Sequence, residues 1–140
     1  MAWFKMDDGF AFHPKTLAAG NAAAGAFARM GTWSSDQLTE GHIPTVQARL
    51  IASPRELKTL AEVGYLHKPG DRCHCLTERP EGALVVPADW SGYWLHDFLE
   101  YNPTRAKVLA ERARATERQR RARDASKQRQ LDKEAANVTA

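Results

Sequence analysis

The chain has 140 residues, 43% hydrophobic and 26% charged, ordinary globular usage that fits one domain with an appendage. Only two cysteines occur, Cys73 and Cys75, which excludes a secreted disulfide framework, and no apolar run approaches the about 18 residues that span a bilayer. The net charge of +3 hides an asymmetry, because residues 1–103 hold 9 Lys and Arg against 12 Asp and Glu whereas residues 104–140 hold 11 against 5.

Trp3 to Met6 reads as a short strand and Asp7-Asp8-Gly9 as a turn. His13-Pro14 opens a helical turn, since proline at the first helical position loses nothing by its missing N–H. Asn21 caps a helix that runs to Leu38, with Phe27, Met30 and Trp33 on its apolar face and Ser34-Ser35-Asp36 as a candidate break. His42-Ile43 is extended, and Val46, Leu50 and Ile51 suit a short helix. Ser53-Pro54 starts another helix, Leu57, Leu60, Ala61 and Val63 form its buried stripe, and Gly64 ends it. Tyr65 to Lys68 reads as a strand. Residues 72–92 read as a long loop with a candidate strand at Leu84 to Val86, and Tyr93 to Leu95 as a returning strand. Thr104 caps a last helix, about Arg105 to Ala135, built from good helix formers but with no heptad seam.

This order is that of a winged helix-turn-helix. The expected fold is therefore α+β, mainly α: a winged-helix domain over residues 1–103, then a long basic helix, partly disordered, over 104–140. The helix near Arg55 to Val63 takes the recognition slot, with Arg55, Lys58, Thr59 and Glu62 on its outer face. Two helices joined by a short turn also occur in domains that never touch DNA, and a mixed-charge face is also an ordinary solvated one.

Three phrases carry a resemblance: Trp3 to Phe10 with His13-Pro14-Lys15 and Leu17 to Ala23, then Leu38 to Pro44, then Leu95 to Pro103. Over Trp3 to about Arg112 the chain resembles winged-helix or helix-turn-helix DNA-binding proteins of actinobacterial phages and integrated elements, some of them similar to replication initiators. The resemblance implies a DNA-binding protein of replication initiation or transcriptional regulation, and it brings no catalytic motif.

Candidate DNA contacts are Arg49, Arg55, Lys58 and Thr59 in the body, and Arg112, Arg114, Arg118, Arg120, Arg121 and Arg123 in the tail. Arginine forks suit phosphate oxygens, although a charged tail is also a solvated face or a protein contact. Trp90, Tyr93, Trp94, Phe98 and Tyr101 are read as core and wing-base packing rather than a base-stacking platform. Cys73, His74 and Cys75, with His67 nearby, are soft ligands of the kind zinc takes. The C-x-C spacing is tight and no second pair follows, so free thiols and exposed histidines are expected, with no metal or cofactor. His96-Asp97 is not expected to act as an acid–base pair, because adjacent residues do not face each other. The expected protein is a cytoplasmic, non-enzymatic DNA binder without membrane contact; the alternative is an adaptor for replication or transcription proteins.

Overall fold

The structure is a computed structural model that describes residues 2–139. A 3-10 turn over Asp8–Phe12 leads into helix α1, Pro14–Gln37. The His13 ring caps α1 by accepting the Lys15 N–H at Nδ1 (3.1 Å), and Pro14 sits in the first turn as expected. Gly20 kinks the helix with φ 82° and ψ 168°, a backbone setting that glycine alone adopts freely, so the stretch from Asn21 continues the helix after a bend. The expected break at Ser34-Ser35-Asp36 does not occur. Ser34 turns inward, shares a 2.6 Å hydrogen bond with the Thr39 hydroxyl and accepts the Gly41 N–H at 2.7 Å, so it fixes the turn after the helix.

Strand β1 (His42–Ile43), helix α2 (Thr45–Ile51) and helix α3 (Pro54–Val63) follow. Ser53 and Glu56 close a capping box on α3, and Gly64, with φ 88°, ends it. Then come β2 (Leu66–His67), α4 (His74–Thr77), β3 (Tyr93–Leu95), α5 (Phe98–Tyr101) and α6 (Arg105–Thr139). The three strands form one antiparallel sheet in the order β1-β3-β2, with Ile43 opposite Tyr93, Leu66 opposite Leu95, and Trp94 between His42 and His67. The result is a mainly helical α+β chain with a small sheet and a long C-terminal helix, as the composition and pattern indicate.

Met30, Ile43, Leu60 and Leu66 are fully buried at the centre of the core, where α1, α3 and the sheet meet. Each such side chain contributes about 1.5–3 kcal/mol relative to exposure. Phe27, Leu57, Leu95 and Phe98 surround them.

Residues 3–6 do not form the expected strand. They have no strand neighbour; instead Asn102 accepts the Lys5 N–H (2.8 Å) and donates to the Lys5 carbonyl (3.2 Å), and Phe4 stacks on Phe98. Gly31 makes room for that ring, since a Cβ there would lie 2.1 Å from Phe4 Cε2. Leu84 to Val86 is not a strand either, because the Leu84 N–H donates to the Glu40 carboxylate (2.7 Å) instead of entering a ladder.

The chain divides into two compact units, residues 1–106 and 107–140. No described residue of α6 is buried. A helix polar on all sides depends on its own charge pairs. Here Glu111 holds Arg114 (2.7 Å) and Arg118 (3.5 Å), while Glu117 holds Arg120 (2.7 Å) and Arg121 (3.0 Å). Among the described residues, no helix is long and apolar enough to cross a membrane.

Candidate nucleic-acid interface and His–Cys cluster

Helix α3 buries Leu57 and Leu60 and turns Arg55, Lys58 and Glu62 outward. On one side it borders an open groove of about 620 Å³. Lys58 and Glu62 of α3, Arg49 of α2, Lys68 after β2 and Ser91-Gly92 before β3 line it. Gly92 lets the loop approach β1, because a Cβ there would lie 2.5 Å from the Ile43 carbonyl oxygen. The groove thus joins two expected contact residues, Arg49 and Lys58, to a third cation from a separate element. Lys68 was read only as the end of a strand, and the groove beside α3 that it lines is formed by the fold. Arg55 is exposed and Thr59 half-buried, and neither lines the groove. Lys58 lies 3.9 Å from Glu62, both exposed, a pair worth at most about 1 kcal/mol that a phosphate can displace.

In the tail, Arg112, Arg114, Arg118, Arg120, Arg121 and Arg123 are all exposed. Arg114, Arg118, Arg120 and Arg121 are engaged by tail carboxylates, and Arg120 also reaches Asp124 at 3.5 Å. The hydrogen bond from Arg114 holds the Glu111 carboxyl below its usual range, and that from Arg120 does the same for Glu117.

The aromatic run is mostly structural. Trp94 and Phe98 are buried, Trp90 and Tyr93 half-buried, and the Arg79 guanidinium lies over the Trp94 ring at 4.9 Å. Of the run, only Tyr101 is exposed.

Both thiols are free, as expected, but the reading of exposed histidines is corrected by the structure at His67. That residue is buried, and its Nε2 lies 3.0 Å from Nδ1 of His96. Cys73 Sγ and Cys75 Sγ stand 3.5 Å and 3.7 Å from the same His96 nitrogen. Of His67, Cys73, His74 and Cys75 only His74 is exposed, with its Nε2 on Asp97 Oδ1 at 3.1 Å. His96 was not grouped with the others because it lies 29 residues beyond His67, and strand pairing brings them together.

His96 and Asp97 also face each other despite being adjacent, at 3.0 Å between Nε2 and Oδ2. Asp97 adopts left-handed backbone, φ 53°, a setting that Asp tolerates better than most residues. Burial lowers the pKa of His67 and of His96, so both rings favour the neutral form that ligates metals. Burial also pushes the Cys75 thiol up to about 12, an effect that a nearby cation reverses.

Comparison with protein-family models, curated proteins and solved structures found no match to this chain.

Proposed function

We propose that the chain is a winged-helix DNA-binding protein of phage or mobile-element type, acting in replication initiation or transcriptional control rather than as an enzyme. The element order α1-β1-α2-α3-β2-α4-β3 and the sheet order β1-β3-β2 support this fold assignment. On this reading α3 takes the recognition slot, and the segment between β2 and β3 is the wing. One observation carries the proposal: Arg49 of α2, Lys58 of α3 and Lys68 just after β2 come to one open groove beside the exposed face of α3. Cations flanking a reading helix hold phosphates and set its register, while the helix itself meets base edges.

The test is fluorescence anisotropy of labelled duplex DNA across a salt series. If about six phosphates are neutralised, the slope of log K against log[salt] is near −5. Replacing Arg49, Lys58 and Lys68 by Ala is expected to weaken binding about 30-fold or more, at roughly 0.7 kcal/mol per lost phosphate contact. No duplex binding at low salt removes the proposal.

An adaptor reading is favoured by Val46 and Leu50, one turn apart on α2 and 66% and 77% exposed. Partners that survive nuclease treatment but are lost when both residues become Glu would favour it.

A further inference from the structure

Four soft donors from three places in the chain meet at one point. His67 ends β2, His96 follows β3, and Cys73 and Cys75 come from the segment between the two strands. Leu66 pairs with Leu95, and the His96 N–H donates to the Tyr65 carbonyl (3.0 Å), so the backbone itself sets the two imidazoles beside each other. We propose that His67, Cys73, Cys75 and His96 bind one zinc ion, through His67 Nε2, His96 Nδ1 and the two sulfurs, as a closed structural site.

The two nitrogen–sulfur distances match a tetrahedron, and the nitrogen pair closes to within about 0.3 Å of the zinc-bound spacing. Zinc–nitrogen bonds of about 2.0–2.1 Å and zinc–sulfur bonds of about 2.3 Å separate neighbouring ligand atoms by roughly 3.3–3.8 Å. The two nitrogens lie 3.0 Å apart, His96 Nδ1 lies 3.5 Å and 3.7 Å from the two sulfurs, and all four ligand atoms fall within 4.8 Å of one another.

The outer side of each imidazole supplies a second, independent observation. Ligating histidines hold a carboxylate or carbonyl on the ring nitrogen that does not face the metal. Asp71 Oδ2 lies 3.8 Å from His67 Nδ1, and Asp97 Oδ2 lies 3.0 Å from His96 Nε2. The Asp71 carboxylate is itself fixed by the Lys68 N–H (3.0 Å). The Asp97 carboxylate, at hydrogen-bond distance, favours the His96 tautomer whose free Nδ1 points into the cluster, and Asp71 faces the outer nitrogen of His67.

The ligand chemistry selects the ion. Two thiolates and two imidazoles in a tetrahedron suit zinc, not the oxygen-seeking Mg²⁺ or Ca²⁺. On binding, each S–H bond breaks as an S–Zn bond forms, both protons pass to solvent, and no electrons are transferred. The two thiolates neutralise the dication. Four protein ligands leave no position open for substrate, so the ion fastens the segment after β2 to the β2–β3 pair. This inference does not rest on the DNA-binding proposal. His74 stays outside the set, on Asp97 and with a side chain 60% exposed.

The full chain purified from zinc-supplemented cells is expected to carry about one zinc per chain by elemental analysis. The Cys73→Ser/Cys75→Ser and His96→Gln variants lose at least about tenfold of that content, while His74→Gln keeps it. Because a ligand variant can also fail to fold, wild-type chain stripped by chelator under reducing conditions is titrated with cobalt(II). A tetrahedral sulfur–nitrogen site gives intense visible d–d bands and a thiolate charge-transfer band, and zinc abolishes both. Zinc-free purified protein that gives only the weak octahedral cobalt spectrum overturns the proposal. So does zinc content that is unchanged in the Cys73→Ser/Cys75→Ser variant.

Discussion

The Glu40 carboxylate, with its residue only 2% exposed, accepts the Arg79 guanidinium at 2.9 Å. The same oxygen accepts the Leu84 N–H at 2.7 Å, and the other oxygen accepts the Arg105 N–H at 2.8 Å. One side chain therefore anchors two points of the segment between β2 and β3 and the first residue of α6. Removing one partner of a buried pair leaves the other charge uncompensated, at about 3–5 kcal/mol. Glu40→Gln keeps the shape but loses the charge and one acceptor. It is predicted to lower urea-unfolding stability by about 3 kcal/mol. A loss below about 1 kcal/mol would mean that the pair contributes no more than a surface contact.

Asn102 is the corresponding anchor for the N-terminal segment. Its amide exchanges two hydrogen bonds with the Lys5 backbone and donates a third to the Phe98 carbonyl (3.0 Å). Asn102→Leu has similar bulk but strands the Lys5 N–H and carbonyl, each at about 1–3 kcal/mol if left unpaired. The predicted outcome is a loss of about 2 kcal/mol, with amide exchange at Lys5 becoming fast. Unchanged protection at Lys5 would show that other groups hold the segment.

Gly31 tests the same docking from the other side. A Cβ at this position meets the Phe4 ring far inside van der Waals contact, so Gly31→Ala has to displace Phe4 from Phe27 and Phe98. Overpacking of this kind costs about 1–3 kcal/mol, enough to outweigh alanine's better helix propensity of about 1 kcal/mol. Gly31→Ala is expected to be destabilising in wild type and neutral or stabilising in a Phe4→Ala background. A stabilising effect in both would place the ring elsewhere.

These contacts show where the sequence was readable. Ser53-Pro54 and Gly64 bracket α3 because capping and left-handed termination are local chemistry. His42-Ile43 and Tyr93 to Leu95 were legible as extended from their own residues. Trp3 to Met6 and Leu84 to Val86 look like strands by composition, yet their partners are the side chains of Asn102 and Glu40, 97 and 44 residues away. Pattern rules cannot weigh a distant side chain against a ladder. The His–Cys cluster failed in the same way. Cys73, Cys75 and His67 were grouped from the sequence, but the fourth member, His96, is brought to them by strand register. Lys68 was missed because only the fold places its turn across from α3.

The tail helix is predicted to respond to acid. Glu111 and Glu117 titrate below the usual carboxyl value because Arg114 and Arg120 hydrogen-bond their charged forms. A depressed folded-state pKa means that the stabilisation is present above the ordinary value of 4.5 and is lost as pH falls through the lower folded value. Helical circular dichroism should therefore decrease as pH drops below 4.5, and a Glu111→Gln/Glu117→Gln chain should lack that part of the transition. Identical acid profiles in the two chains would show that these pairs do not support α6.

The same two carboxylates compete with DNA for the arginines. Glu111 and Glu117 between them occupy Arg114, Arg118, Arg120 and Arg121, so the tail presents less free cation than its six arginines suggest. If the tail supplies phosphate contacts, Glu111→Gln/Glu117→Gln removes two repulsive charges and releases Arg114, Arg118 and Arg121, leaving Arg120 with Asp124. Duplex affinity is then expected to rise about fivefold to tenfold at low salt. The gain should shrink as salt is raised, since exposed charges are screened beyond about 8 Å at physiological ionic strength. Replacing the six tail arginines by Gln should abolish the gain while leaving binding sensitive to Lys58→Ala, because the groove beside α3 is built by other elements. An affinity unchanged by the Glu substitutions at any salt would remove the tail from the interface and leave the groove as its only cationic part.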